Sequence, residues 1–321
     1  MKNYLFVLLS PLLLLVASCK EVVEGPQPLM IYNQVGYFTN GPKTLYVAPE
    51  VKEVTFFDAN NNQVLKVIPE DAKHWNLSGN SVKKVDFSEM SEVGVYSILL
   101  DSVVYKTIRI CDNPAVLVNK ASLKAFYYNR SGTEISSEFG GKFAREAGHP
   151  DTVVYVHSSA ATKERPEGTI LSLPGGWYDA GDYNKYIVNS GITTYTMFRA
   201  LEDFTNYYSC INIDLPDAQD SIPEILTETL YNFDWVVSMQ DSNDGGVYHK
   251  LTTKAFEDMV MPKDATNDRY VIVKSTSAAL NYAALVAHAL VAIEPYNCKL
   301  NYDLDELLNK AIAAWDWAVE N

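Results

Sequence analysis

The hydrophobic period of this 321-residue chain changes once, near Pro114, and that change limits the folds open to it. Between residues 29 and 112, short runs of β-branched and aromatic side chains are separated by turn residues, as in Val54–Phe57 and Val95–Leu99. After Pro114, apolar residues recur at the spacing of amphipathic helices. The sequence therefore predicts a multidomain chain, with a β-domain first and an all-α domain over residues 113–321.

The β-region reads as about seven short strands in roughly 85 residues, which is typical of a β-sandwich. It contains no acid pair, histidine cluster or glycine loop, so we interpret residues 29–112 as a support module. Trp75 raises the question of sugar binding, but a single tryptophan is more often a core residue.

The helical region carries five recognisable helices. The clearest opens at Ile222-Pro223-Glu224, with Leu226, Leu230 and Phe233 on one face. Another is predicted over Thr276–Ala292. Its buried face is expected to carry Leu280, Ala284, Ala287 and Val291. The last helical pattern, near Leu304–Glu320, runs to the end of the chain without a glycine cap. We therefore expect the helical domain to be truncated.

The N-terminus resembles a bacterial lipoprotein signal peptide over residues 1–19. Lys2 precedes an apolar run that ends in small residues and Cys19, the position that a lipobox would lipidate. The alternative is an ordinary signal peptide with a chance cysteine. A lipobox predicts an outer-membrane lipoprotein, facing the periplasm or the cell surface, that contacts the membrane only through its lipid anchor.

Charge and cysteine content narrow the range of partners. A net charge of −14 argues against nucleic acid and anionic membrane surfaces, but not against a neutral polysaccharide. Cys111, Cys210 and Cys298 are far apart and lack metal-site spacing, so we expect buried thiols and no metal site.

Residues 175–191 carry the strongest chemical signal. Asp179 and Asp182 lie three positions apart on a small-residue turn, with Trp177 and Tyr178 beside them. Two carboxylates on one turn could hold and deprotonate a water molecule, and flat aromatic faces suit sugar rings. The competing interpretation is an Asp-Gly turn that caps a helix beginning near Ile187. A calcium loop fits less well, because regularly alternating oxygen ligands are missing.

A second motif runs from Asp244 to Lys250, where two glycines lead into Tyr-His-Lys. His249 is a candidate donor to a sugar hydroxyl. The alternative is a simple turn that carries a solvated His–Lys pair.

Together these segments resemble glycoside hydrolase family 9, the endoglucanase family. Gly-Gly-Trp-Tyr-Asp-Ala-Gly-Asp-Tyr from Gly175 looks like the family signature, and Asn33–Tyr37 resembles the start of the immunoglobulin-like domain of many bacterial members. The resemblance extends in order over residues 31–321. It implies an immunoglobulin-like β-sandwich followed by an incomplete six-fold α/α barrel.

The same resemblance implies inverting hydrolysis of a β-1,4-glucan. By motif position, Asp182 would be the general base and Asp179 its partner on the nucleophilic water. Trp177, Tyr178 and His249 would contact substrate. No cofactor is implied as a requirement. Many members bind calcium, for which the sequence identifies no ligands.

The sequence departs from the family pattern at two places. Some bacterial members hold zinc with cysteines near the first barrel loops, but here those stretches read Arg130-Ser131-Gly132 and Ala147-Gly148-His149, so we expect no zinc. The family's general acid is a late glutamate, which we expect beyond residue 321. The chain alone should therefore be nearly inactive.

Three functions follow as hypotheses. The leading one is a lipid-anchored endo-β-1,4-glucanase acting on cellulose-like or hemicellulosic β-glucan. The others are a non-catalytic glucan-binding surface lipoprotein, and an exo-acting β-glucosidase or glucosaminidase of the same family.

Overall fold

The computed structural model describes residues 29–321, apart from the side chains of residues 104–106. The predicted signal peptide and Cys19 lie outside this range. The chain forms two compact units that divide between Ala115 and Val116.

The first unit is a pair of β-sheets. Its strands are β1 (Met30–Ile31), β2 (Tyr37–Phe38), β3 (Thr44–Val47), β4 (Val54–Phe57), β5 (Gln63–Val67), β6 (Lys73–Trp75), β7 (Asn80–Asp86), β8 (Gly94–Leu100) and β9 (Val103–Cys111). The sheet orders are β1-β3-β7-β6 and β2-β9-β8-β4-β5. Alternate residues such as Leu45, Phe56 and Ile98 are fully buried and form a core of their own. The predicted β-sandwich is thus confirmed.

Trp75 does not belong to this core. The side chain is 60% exposed, on the short strand β6 at the edge of its sheet. The expectation of a core tryptophan was wrong, because β6 has no buried position and contributes only to the outer surface.

The second unit is mainly helical. Its helices are α1 (Val116–Tyr128), α2 (Ser137–Gly140), α3 (Ile187–Asp203), α4 (Thr205–Tyr208), α5 (Glu224–Ser238), α6 (Thr276–Ile293), α7 (Asn297–Leu300) and α8 (Leu304–Glu320). Helix α6 packs against α3 and α8, and α3 also packs against α5. Ser275 and Asp303 cap α6 and α8 by accepting hydrogen bonds from Ala278 N–H and Glu306 N–H.

A small sheet joins the loops of the second unit. It contains β10 (Val154–Val156), β11 (Ile170–Leu171), β12 (Lys185–Tyr186), β13 (Lys250–Thr252) and β14 (Arg269–Val271), in the order β11-β10-β14-β13-β12. Strand β12 runs directly into α3, so this sheet positions the segment that carries Asp179 and Asp182.

The helix faces agree only partly with the predicted stripes. Leu226, Leu230 and Phe233 of α5 are buried as predicted. The stripe predicted for α6 was wrong: Leu280 and Val291 are 40% and 60% exposed, and the buried face carries residues such as Tyr282. Helix α6 is apolar on both faces, so the period alone cannot select the face that packs.

Two further observations concern apolar and sulfur-containing residues. Among the described residues, one stretch, Thr276–Leu300, is long and apolar enough to cross a membrane, and half of it is buried in the structure, as in a core helix. Cys210 and Cys298 are exposed and Cys111 is partly exposed, so the expectation of buried thiols was wrong. All three lie outside the packed faces that fill the cores.

Candidate active site

Asp179 and Asp182 lie on a tight turn at the surface of the second unit. The turn is closed by hydrogen bonds from Tyr183 N–H to the Ala180 carbonyl (3.1 Å) and from Asp179 N–H to the Asn184 carbonyl (2.9 Å). Asp179 is exposed and Asp182 is partly exposed. Both carboxylates can therefore meet solvent and a substrate.

Neutral donors orient the two carboxylates. Asp182 Oδ2 accepts hydrogen bonds from Asn184 Nδ2 (2.8 Å) and Tyr186 Oη (3.2 Å). Asp179 Oδ1 accepts one from Asn189 Nδ2 (2.9 Å), at the start of α3. Among the described residues neither carboxylate forms an ion pair. Their described partners are therefore neutral amide, hydroxyl and backbone N–H groups.

A cleft of about 170 Å³ opens beside the turn. Its lining combines aromatic rings with small polar groups: Phe126, Asn129, Trp177, Tyr178, Asp179, Tyr186, Asn189, Ser190 and Thr193. Asp182 is not part of this lining, but it contacts the cleft through its hydrogen bond to Tyr186. Aromatic rings beside amide and hydroxyl groups match the mixed apolar and polar surface of a sugar.

The two predicted aromatic contacts reach this cleft with little exposed surface. Trp177 and Tyr178 are each only 6% exposed. Phe126 and Tyr186 also line the cleft and are partly exposed. Phe126 comes from α1 and contacts Trp177, with the ring centroids 4.6 Å apart. No local sequence signal links Phe126 to a motif so distant along the chain.

Trp177 is fixed by a buried ion pair. Its indole Nε1 donates to Glu228 Oε1 (2.8 Å), and Glu228 Oε2 pairs with Arg130 (2.9 Å). Burial raises the pKa of the Glu228 carboxyl, and the Arg130 charge offsets only part of this effect. The Trp177 backbone N–H donates to Asn232 Oδ1 (3.0 Å). The ring is thus held before any ligand arrives.

Tyr178 is held by a buried histidine. Its hydroxyl donates to the Gly148 carbonyl (3.0 Å) and lies 2.9 Å from His149 Nδ1. Burial, aided by the nearby charge of Arg269, lowers the pKa of His149 to about 4. His149 is therefore neutral at pH 7. When the Tyr178 hydroxyl donates to the Gly148 carbonyl, the His149 tautomer with Nδ1–H can donate to the phenol oxygen. Ser131 Oγ donates to the His149 carbonyl (3.2 Å).

A buried cluster of charged side chains holds the backbone on both sides of the turn that carries Asp179 and Asp182, which we call the acidic turn. Asp151 Oδ2 lies 2.7 Å from Lys185 Nζ, and Asp151 Oδ1 lies 3.0 Å from Arg269 Nε. Lys185 Nζ also donates to the Gly175 carbonyl (2.6 Å), and Arg269 Nη1 donates to the Tyr183 carbonyl (2.8 Å). The cluster therefore ties both ends of the segment that carries the two acids.

The charged groups in this cluster shift one another's pKa values. Burial lowers the pKa of Lys185 to about 8, with Asp151 opposing and Arg269 reinforcing that change. Burial alone would raise the pKa of Asp151, but the two cations outweigh it and the net shift is downward.

His249 lies next to the turn through the backbone. Its carbonyl accepts a hydrogen bond from Ile187 N–H (3.2 Å), the first residue of α3. Burial, together with the Lys250 charge, lowers the pKa of its imidazole. His249 is not among the residues that line the cleft, so a substrate contact by this residue stays a prediction.

The Asp244 motif is held by a lysine. Lys274 Nζ bridges Asp241 Oδ2 (2.6 Å) and Asp244 Oδ2 (2.8 Å). Within residues 29–321, no group of three or more His, Cys, Asp or Glu side chains is arranged to bind a metal ion.

The two units of the chain match the profiles of two different protein families. The profile of glycosyl hydrolase family 9 matches residues 117–321, and that of the cellulase N-terminal ig-like domain matches residues 26–104. A xyloglucan-specific endo-beta-1,4-glucanase of Bacteroides ovatus, BoGH9A, is 39% identical over 289 residues, which cover 89% of this chain and 48% of that protein.

Two further relatives agree. A cellodextrinase of Butyrivibrio fibrisolvens is 27% identical and is matched over 91% of this chain and 52% of its own length. A solved structure of a Bacteroides ovatus GH9 protein superposes with a TM-score of 0.83 at 37% identity, over 91% of this chain and 53% of that chain. The chain spans about half the length of the relatives that it matches.

These matches confirm the resemblance and the fold class that it implied, an immunoglobulin-like domain followed by an α/α-barrel domain. The roles assigned to individual site residues stay predictions. With the profile covering residues 117–321, the chain belongs to glycosyl hydrolase family 9.

Proposed function

We propose that the complete protein is an endo-acting β-1,4-glucanase that hydrolyses neutral β-glucan with inversion. Asp182 takes the proton from the attacking water, and Asp179 holds that water. The observation that carries this proposal is the acidic turn, whose two carboxylates face solvent beside an aromatic cleft and are oriented by neutral donors.

The relatives guide the choice of substrate. One of them is named as xyloglucan-specific and another as a cellodextrinase, so the substrates of both have a β-1,4-glucan backbone. The present chain is more similar to the first, at 39% identity. We therefore take xyloglucan as the leading substrate and unsubstituted β-1,4-glucan as the next.

Product analysis of the complete protein tests this proposal. Endo action should lower the viscosity of a xyloglucan solution well before many reducing ends appear. NMR of the fresh products should show the α-anomer, because an inverting enzyme places water on the opposite face of the sugar. Release of monosaccharide from chain ends would instead favour an exo-acting enzyme. Binding without cleavage would favour a glucan-binding lipoprotein.

We further propose that Cys19 carries a lipid that anchors the protein in the outer membrane, facing the periplasm or the cell surface. The support is the pattern of Lys2, an apolar run and small residues before Cys19. Replacement Cys19→Ala should move the protein from the membrane fraction to the soluble fraction and abolish incorporation of labelled palmitate. Unchanged membrane association would contradict the anchor.

A further inference from the structure

The small sheet of the second unit has two unlike faces. Lys185, Leu251 and Val271 are paired across β12, β13 and β14 and are all fully buried. Because side chains alternate along a strand, their neighbours point to the opposite face. Register places Tyr186 opposite Lys250, and Tyr155 opposite Tyr270, on that outer face.

The outer face carries a cluster of aromatic side chains, which we call the tyrosine platform: Tyr186, Tyr270, Tyr155 and His157. The rings of Tyr155 and Tyr270 lie 5.8 Å apart at 41°, and His157 meets Tyr270 edge-on at 6.0 Å. All four side chains are partly exposed. None of them belongs to the hydrophobic core of the second unit.

Lysine ammonium groups lie over two of the rings. Lys254 Nζ is 4.9 Å from the Tyr270 ring centroid, and Lys250 Nζ is 4.9 Å from that of Tyr186. Ile170, which register places opposite Tyr155 on β11, is 60% exposed. Rings beside flexible polar side chains offer a surface on which a sugar can stack while its hydroxyls meet donors.

The platform reaches the candidate active site through Tyr186, which strand β13 separates from Tyr270. On β13, Thr252 lies opposite Tyr270 and is buried. Tyr186 lines the cleft and donates a hydrogen bond to Asp182 Oδ2 (3.2 Å). Strands in a sheet lie about 4.8 Å apart, so β14 is about 10 Å and β10 about 14 Å from β12. Tyr270 and Tyr155 thus stand at increasing distance from the acidic turn, in the direction that a bound chain could follow.

We propose that the tyrosine platform binds distal sugar units of the same β-glucan chain that the acidic turn cleaves, with Tyr270 and Tyr155 as stacking residues. This inference rests on the proposed function. It makes the platform a determinant of chain-length preference, since sugar units beyond those held at the acidic turn must reach β14 and β10.

The test compares substrates of two lengths in the complete protein. The ratio of kcat/KM for a β-1,4-gluco-hexasaccharide to that for an aryl disaccharide glycoside should fall roughly three- to tenfold in Tyr270→Ala, through KM. Tyr270→Phe keeps the ring and should restore the ratio. Tyr195→Ala, which removes a surface tyrosine of α3, is the matched control. An unchanged ratio in Tyr270→Ala, or an equal loss on both substrates, would overturn the inference.

Failure of the proposed function can be distinguished from failure of the platform inference. If the wild-type protein cleaves neither these two substrates nor xyloglucan, the hydrolase proposal fails, and calorimetric titration with the hexasaccharide decides the inference alone. Weaker binding in Tyr270→Ala than in Tyr270→Phe supports the platform. Equal binding by the two variants, or no binding by the wild type, refutes it.

Discussion

At the scale of single residues, the backbone conformation of the acidic turn depends on a buried side chain that donates a hydrogen bond to it. Tyr183 adopts a left-handed backbone conformation with φ of 57°, which is unfavourable for a bulky residue. Its carbonyl accepts the hydrogen bond from Arg269 Nη1, and Arg269 is held in turn by Asp151. The strained conformation is thus maintained by a buried, fixed donor.

Replacement of Arg269 by lysine tests this support. Lysine keeps the charge but cannot contact both Asp151 and the Tyr183 carbonyl with a planar fork. Losing one hydrogen bond to a charged group should lower the free energy of unfolding by about 1.5–3 kcal/mol. Chemical denaturation measures the change. Arg199→Lys, in an exposed ion-pair group on α3, is the control and should change stability by less than about 1 kcal/mol. Equal effects of the two substitutions would contradict the role of Arg269.

His149 makes the second unit sensitive to acid. Its pKa is about 4 in the folded protein, below its usual value of 6.5, so the unfolded chain binds more protons between these two values. Stability should therefore fall as pH drops from about 6.5 to 4. His149→Gln should flatten the dependence of Tm on pH across this window, whereas His157→Gln should leave it in place. A wild-type profile that His149→Gln does not alter would refute this assignment.

At the scale of structural elements, the long helices could be predicted from the sequence, and the short strands of the small sheet could not. Helix α8 was predicted near Leu304–Glu320 and spans these residues, because its apolar period is long and uninterrupted. The small sheet was not predicted. Strands of two or three residues, such as β11 and β12, are too short to show a period, and they pair with segments distant along the chain.

The candidate site shows the same limit. Asp179 and Asp182 were identified because their spacing is local. Phe126 joins the cleft only through tertiary packing, and so does the charge cluster of Asp151, Lys185 and Arg269. A local motif therefore reveals the chemical groups, while the side chains that hold them in place emerge only from the fold.

Glycines at the two ends of the signature loop give a matched test. Gly176 has φ of 78°, and a Cβ there would lie 2.7 Å from Trp235 Cγ, in a fully buried indole. Gly176→Ala should lower the free energy of unfolding by about 1–3 kcal/mol, because both strain and overlap oppose it. A Cβ at Gly181 meets no atom within 4 Å, so Gly181→Ala should be within about 0.5 kcal/mol of wild type. Similar stability of the two variants by thermal denaturation would contradict this account.

At the scale of the whole molecule, the two units have separate hydrophobic cores. Phe87 is fully buried in the first, with its ring 4.9 Å from those of Tyr37 and Phe56. Phe87→Ala should cost about 3–5 kcal/mol locally. Hydrogen-exchange mass spectrometry should show lost protection within the strands of the first unit. Equal loss throughout α3, α5 and α6 would show that the units do not unfold independently.

The central claim is that Asp182 accepts the proton of the water that cleaves the glucan. Asp182→Asn in the complete protein tests it most directly, because asparagine keeps the shape of the side chain and removes its basicity. The account predicts a roughly 10²- to 10⁴-fold fall in kcat on β-glucan, with glucan binding retained. Hydrolysis at the wild-type rate by this variant would contradict it.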